Sequence, residues 1–151
     1  MIAKKGSKEY PVFSRNFHVD YFEKEDGLWH ITSHLKDHEH DILVTMDISV
    51  PDIIIKDADA TFIRYPLEGC RKFVDKMKNL IGTNLFTDFR EKIAKNFLGP
   101  EGCPNAMNLV GIAAPALVFF YFPNLICRGE MKPEEWVNMI NTKLAGNCIA
   151  D

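Results

Sequence analysis

From Phe13 to Phe22 the apolar positions recur at every second residue. Phe13, Phe17, Val19 and Tyr21 share one face, while Ser14, Asn16, His18 and Asp20 share the other. Period two is the signature of a half-buried strand. After the turn Glu23-Lys24-Glu25-Asp26-Gly27 the alternation resumes, with Trp29, Ile31, Ser33 and Leu35 inward and His30, Thr32 and His34 outward. A polar stretch from Lys36 to Asp41 then leads to the clearest strand, in which Ile42, Val44, Met46, Ile48 and Val50 alternate with Leu43, Thr45, Asp47 and Ser49. Pro51-Asp52 marks a turn. A fourth strand is expected over about Ile53 to Tyr65, with Ala58, Ala60 and Phe62 on one side, and Lys56 breaks its pattern, so a bulge or an edge position is expected there.

Beyond Pro66 the period becomes helical. Cys70, Phe73, Val74, Met77, Leu80 and Ile81 fall on one stripe ahead of a capping Gly82. A second helix is expected from Thr87 as N-cap, carrying Phe89, Ile93 and Phe97 to a stop at Gly99-Pro100. A third begins at Pro104 and is apolar nearly all round to Phe122, the mark of a buried central helix, with Pro115 expected to kink it. The last runs from Pro133 past Trp136, Met139, Ile140 and Leu144 to Gly146. Strands followed by helices, without alternation, predict an α+β domain: a four-stranded antiparallel sheet in the N-terminal half with about four helices on one face. Residues 1–10 read as a loose terminus and 11–151 as one domain.

Composition narrows the function classes. Eighteen basic against 21 acidic residues give a net charge of −3, whereas a nucleic-acid-binding face needs an excess of basic charge. The longest apolar stretch, Leu109 to Phe122, is 14 residues long, below the roughly 18–20 that cross a bilayer. No secretory h-region follows Met1, so a cytoplasmic protein with no membrane and no nucleic-acid partner is expected. In that compartment Cys70, Cys103, Cys127 and Cys148 are read as thiols rather than disulfides. There is no Gly-rich phosphate loop, and no nucleotide cofactor is indicated.

Two of the thiols occupy echoing contexts, Glu68-Gly69-Cys70 and Glu101-Gly102-Cys103, each expected to open a helix. The positive end of a helix favours a thiolate, the form that ligates metal or attacks an electrophile. Either cysteine also serves simply as a small apolar residue. In the segment Asp37-His38-Glu39-His40-Asp41, counting back by twos from Ile42 puts His40 on the core-facing side. An imidazole there can meet thiolates at helix starts packed over the sheet. His40, Cys70 and Cys103 then offer N and S ligands for Fe, Zn or an iron–sulfur cluster, with a fourth place for Glu39, Asp41, His38, water or a guest. Thirty residues separate His40 from Cys70 and 33 separate Cys70 from Cys103, so only folding can assemble this set. A second constellation is His18, His30 and His34 on the outward parity, where pairing of His18 with His30 would make a metal- or pH-responsive couple. The run Phe119 to Phe122 reads as core or as a subunit contact. Cys127 and Cys148 have no partnering pattern.

These residues carry two resemblances. Asp26-Gly27-Leu28-Trp29, His40-Asp41, Ile55-Lys56-Asp57-Ala58, Pro66 with Cys70, Leu80-Ile81-Gly82 and Gly102-Cys103 make the stretch from Arg15 to about Phe122 resemble the bacterial family called domain of unknown function 2889. That family often has a histidine two residues after the second cysteine, where this chain has Asn105. More distantly, order and spacing over about His40 to Val118 are similar to the U-type iron–sulfur cluster scaffolds. The resemblance implies a small antiparallel sheet with helices on one face, and it places His40, Cys70 and Cys103 at the three cysteine positions of the scaffolds. Their aspartate corresponds to Ile42, which cannot ligate, so a simpler three-ligand site is implied. The expected function is a metal-binding accessory or scaffold-like domain with a protein partner or a homo-oligomer. The alternatives are a non-metal ligand-binding or subunit-interaction module, and an enzyme with a thiolate at Cys70 or Cys103 and His40 as base.

Overall fold

The alternating segments become the sheet they require. A computed structural model describes residues 12–144 and orders β1 (Asn16–Glu23), β2 (Trp29–Lys36), β3 (Asp41–Ser49) and β4 (Ile54–Arg64) as an antiparallel meander, each strand beside its neighbour in sequence. The expected loose terminus at 1–10 and Cys148 lie outside the described residues. Ile31, Leu35, Ile42, Val44, Met46 and Ile48 are at most 1% exposed, so β2 and β3 form the covered centre of one sheet face.

Register departs from expectation in the first hairpin. His18 lies opposite His34, and His30 opposite Phe22. The turn is longer than a His18–His30 pairing allows: Lys24 donates its N–H to the Leu28 carbonyl, Gly27 takes φ 83°, and Glu23 is thereby set against Trp29. The irregularity at Lys56 is present, since Asp47 faces Asp57 while Ile48 faces Ile55, leaving Lys56 as the extra residue.

Helices cover the apolar face. The expected first helix is broken into 3-10 turns at Glu68–Lys72 and Lys78–Leu80 around a short α1 (Phe73–Met77). Phe73, Met77 and Leu80 are still buried as the stripe required. The helix ends because the chain joins the edge of β4, where Gly82 N–H donates to the Ile55 carbonyl and Ile55 N–H to the Thr83 carbonyl. Next comes α2 (Phe89–Phe97), with Asp88 rather than Thr87 at its N-cap position; the Asp88 carboxylate accepts the Asn84 N–H instead of a helical one.

Helix α3 (Pro104–Cys127) continues through both Pro115 and Pro123, five residues past the expected end at Phe122, and contains no charged side chain. By length and composition it suffices to cross a membrane, unlike the 14-residue stretch on which the sequence expectation rested. Here Leu109, Val110, Ala113, Ala114 and Leu117 are fully buried in the core beneath it. Tyr21 of β1 donates its hydroxyl to the Ala113 carbonyl at 2.8 Å, and burial pushes its phenol up to about 12. Helix α4 (Pro133–Lys143) packs through Trp136, stacked on Phe122 at 5.6 Å. Of the aromatic run, Phe122 is core, whereas Phe119 and Phe120 are about half exposed.

Candidate functional site

The turn between β2 and β3 is organised by one carboxylate. Asp favours turns because its side chain can take backbone N–H groups two and three residues on. Asp37 does this with Glu39 N–H at 2.8 Å and His40 N–H at 2.7 Å, and also accepts from His40 Nδ1 at 3.0 Å and Arg15 Nε at 2.7 Å. Its side chain is inaccessible to solvent. Burial alone would raise the Asp37 carboxyl. The His40 backbone and ring, the Glu39 N–H and the Arg15 guanidinium outweigh it and hold the group at about 2. Arg64 adds a bond from its guanidinium to the Asp37 carbonyl.

Arg15 extends this network toward the helices. Its Nη1 donates to Asn105 Oδ1 at 3.1 Å, and Asn105 borders a cavity of about 420 Å³ between Leu67–Lys76 and Pro100–Asn105. Cys70 and Cys103 both line that cavity, both are free thiols, and both are partly buried. Lys76 ties the two walls by donating its ammonium to the Glu101 carbonyl. The echoing motifs differ in detail. Cys103 is the N-cap residue of α3, with Pro104 at the first helical position, while Cys70 sits inside a 3-10 turn. Cys103 thus stands at the start of a long α-helix, and Cys70 within the first turn of a short, mostly 3-10 one.

Folding thus brings Cys70 and Cys103 to one cavity and leaves His40 outside its lining, joined to it through Asp37, Arg15 and Asn105. Among the described residues no three His, Cys, Asp or Glu side chains are gathered closely enough to hold an ion. No histidine lines the cavity to act as base beside either thiol. Cys127 is exposed at the far end of α3. The outward histidines each take their own carboxylate: His18 with Asp20 at 3.0 Å, His30 with Asp47 at 2.6 Å, and His34 with Asp41 at 2.6 Å. The His34 bond, against the opposing effect of burial, lowers the Asp41 carboxyl from its ordinary value.

Arg15 and Asp37 are the residues that sequence reasoning missed as organisers. The signal for Asp37 was present, since an Asp two residues before the apex of a hairpin is an Asx-turn pattern. Arg15 carried none, because its partners lie 22 and 90 residues away.

The family described as protein of unknown function (DUF2889) matches residues 13–118, which include the whole sheet and both cysteines of the cavity. The chain belongs to that family. No curated protein and no solved structure matches it. Within this DUF2889 chain, Asn105 meets Arg15 at the cavity rim.

Proposed function

We propose that this DUF2889 protein is an accessory domain that binds a thiophilic metal ion, iron or zinc, with Cys70 and Cys103 as its sulfur ligands. The observation that carries the reading is the convergence of two free thiols, from segments far apart in sequence, on one partly enclosed cavity. His40 is the third candidate ligand. Ionised Asp37 can only accept, so His40 Nδ1 is the donor and Nε2 of the neutral ring keeps its lone pair, the arrangement that carboxylates impose on ligating histidines. His40 is connected to the cavity rim through Asp37, Arg15 and Asn105. The remaining coordination falls to solvent or a partner protein. A mononuclear ion suits two sulfurs and an imidazole better than a cluster, whose common ligand set is four thiolates.

Titration of reduced, metal-free protein with Co²⁺ tests the proposal. Thiolate-to-cobalt absorption at one ion per chain is expected, lost in Cys70→Ala and in Cys103→Ala with the circular dichroism unchanged. Stoichiometric binding that survives the double replacement, or binding without sulfur-to-metal absorption, would overturn it.

A second reading, a site for a non-metal ligand, is favoured by a separate cavity of about 560 Å³ between α2 and α3. Phe89, Ile93 and Met107 make its wall apolar, and Arg90 is the one basic residue among those lining it. Gly111 and Pro115 also border it; the first offers no side chain, and the second has no N–H to give the Gly111 carbonyl. An apolar molecule with an anionic head fits this chemistry. Fluorescence of 1-anilinonaphthalene-8-sulfonate should report binding that persists when both cysteines are alanine and weakens in Arg90→Ala. Binding lost together with the cysteines, or indifferent to Arg90, would count against this cavity.

A further inference from the structure

The two edges of the sheet are treated differently. Beside the outer edge of β4 lies the 82–85 segment, where Ile55 N–H meets the Thr83 carbonyl at 2.9 Å and Leu85 N–H meets the Ile53 carbonyl at 3.0 Å, and β4 is further interrupted by the bulge at Lys56. Among the described residues β1 has no such protection. Its eight residues pair without interruption to β2, contain no proline, lysine or bulge, and have no strand on their other side among the described residues. An unbroken bare edge is a template for another strand. Its inward side chains are also incompletely covered: Phe17 is 39% exposed, and Phe120 of α3, 51% exposed, lies edge-on to Tyr21 with ring centres 4.9 Å apart. An apolar ledge therefore runs along the bare edge.

We propose that β1 pairs antiparallel with β1 of a second copy of this chain about a two-fold axis at Val19, joining the two sheets into one. The order of residues from Arg15 to Glu23 selects both partner and register. With Val19 opposite the partner's Val19, His18 faces the partner's Asp20, Phe17 the partner's Tyr21 and Arg15 the partner's Glu23, and each pairing occurs twice by symmetry. Cross-strand pairs of opposite charge and of two aromatics are the stabilising ones. Shifting the axis to His18 sets histidine on histidine and Arg15 on Tyr21. Moving it to Asp20 sets carboxylate on carboxylate and Phe17 on Glu23. Each of these moves is a two-residue slip, the smallest that keeps every side chain on its proper face, and neither matches charge and shape as the Val19 register does. Arg15 and Glu23 keep exposed surface beyond their own partners, Asp37 and Arg128, with 36% and 46% of their side chains accessible. Phe17 and Phe120 of both copies are covered where the ledges meet.

Sedimentation equilibrium of the full chain at micromolar concentrations tests the interface. A dimer is expected, weakened about tenfold in His18→Asp and in Asp20→His, each of which puts like groups face to face. The double variant H18D/D20H restores the opposition in this register alone, and its dimer should recover. Amide exchange of β1 should slow as the protein concentration rises, a readout that stays informative if a single variant is poorly folded. A wild-type chain monomeric throughout, a dimer indifferent to both single changes, or a double variant no better than either single one would overturn the proposal.

Discussion

Asp37→Ala is expected to destabilise the protein by about 2 kcal/mol, because hydrogen bonds to a charged group contribute about 1.5–3 kcal/mol and the donors here are part-buried. The Glu39 and His40 N–H groups both lose their acceptor, and the Arg15 guanidinium loses its ion pair. The damage falls on the hairpin that joins the two central strands. Asp37→Asn keeps one acceptor oxygen and should fall between. Urea unfolding at neutral pH measures both; a loss in Asp37→Ala below about 1 kcal/mol would show that the turn holds without its carboxylate. The same group ties stability to pH. Its folded value of about 2 lies below its ordinary 3.8, so the stabilisation is fully present above about pH 4 and disappears as pH falls through 2. The depression corresponds to about 2 kcal/mol in wild type. The gap between wild type and Asp37→Ala should therefore narrow in acid.

Gly102→Ala is the second large effect. A Cβ at that position would stand 2.1 Å from the Phe97 carbonyl oxygen and 2.6 Å from its carbon, so backbone must move. Gly102 N–H is also bonded to the Gly99 carbonyl, closing the turn that delivers Cys103 to α3. A cost of about 3 kcal/mol is expected, at the upper end for overpacking, together with loss of sulfur-to-cobalt absorption. Gly69, in the matching position before Cys70, has nothing within 4 Å of a Cβ, and Gly69→Ala should unfold within about 0.5 kcal/mol of wild type. Equal effects at the two glycines would contradict this geometry.

The contrast between these motifs shows where sequence reading ends. Both are Glu-Gly-Cys, and their shared cavity suits the suspicion that the echo raised, yet only the fold reveals that one glycine is wedged against α2 and the other is free. The sheet was legible because period two follows from burying one face, and β2 and β3 alternate as read. Long-range pairing was not. The His18–His30 couple was lost to a turn whose length periodicity does not encode. The first helix closes ahead of Gly82 as read, but its first and last turns are 3-10 rather than α, which the spacing of its apolar stripe does not announce. His40 was placed by counting parity from Ile42, but the hairpin apex takes its geometry from Asp37, and parity stops at the end of a strand.

The meander has a consequence for how the chain must be made. All four strands are complete by Arg64, while the helix that covers their apolar face finishes at Cys127. At about 5–20 residues per second, a ribosome needs several seconds to supply it. During that interval the nascent sheet has a greasy side with nothing to rest on, so a fragment cut off ahead of α3 should precipitate rather than fold as a smaller protein.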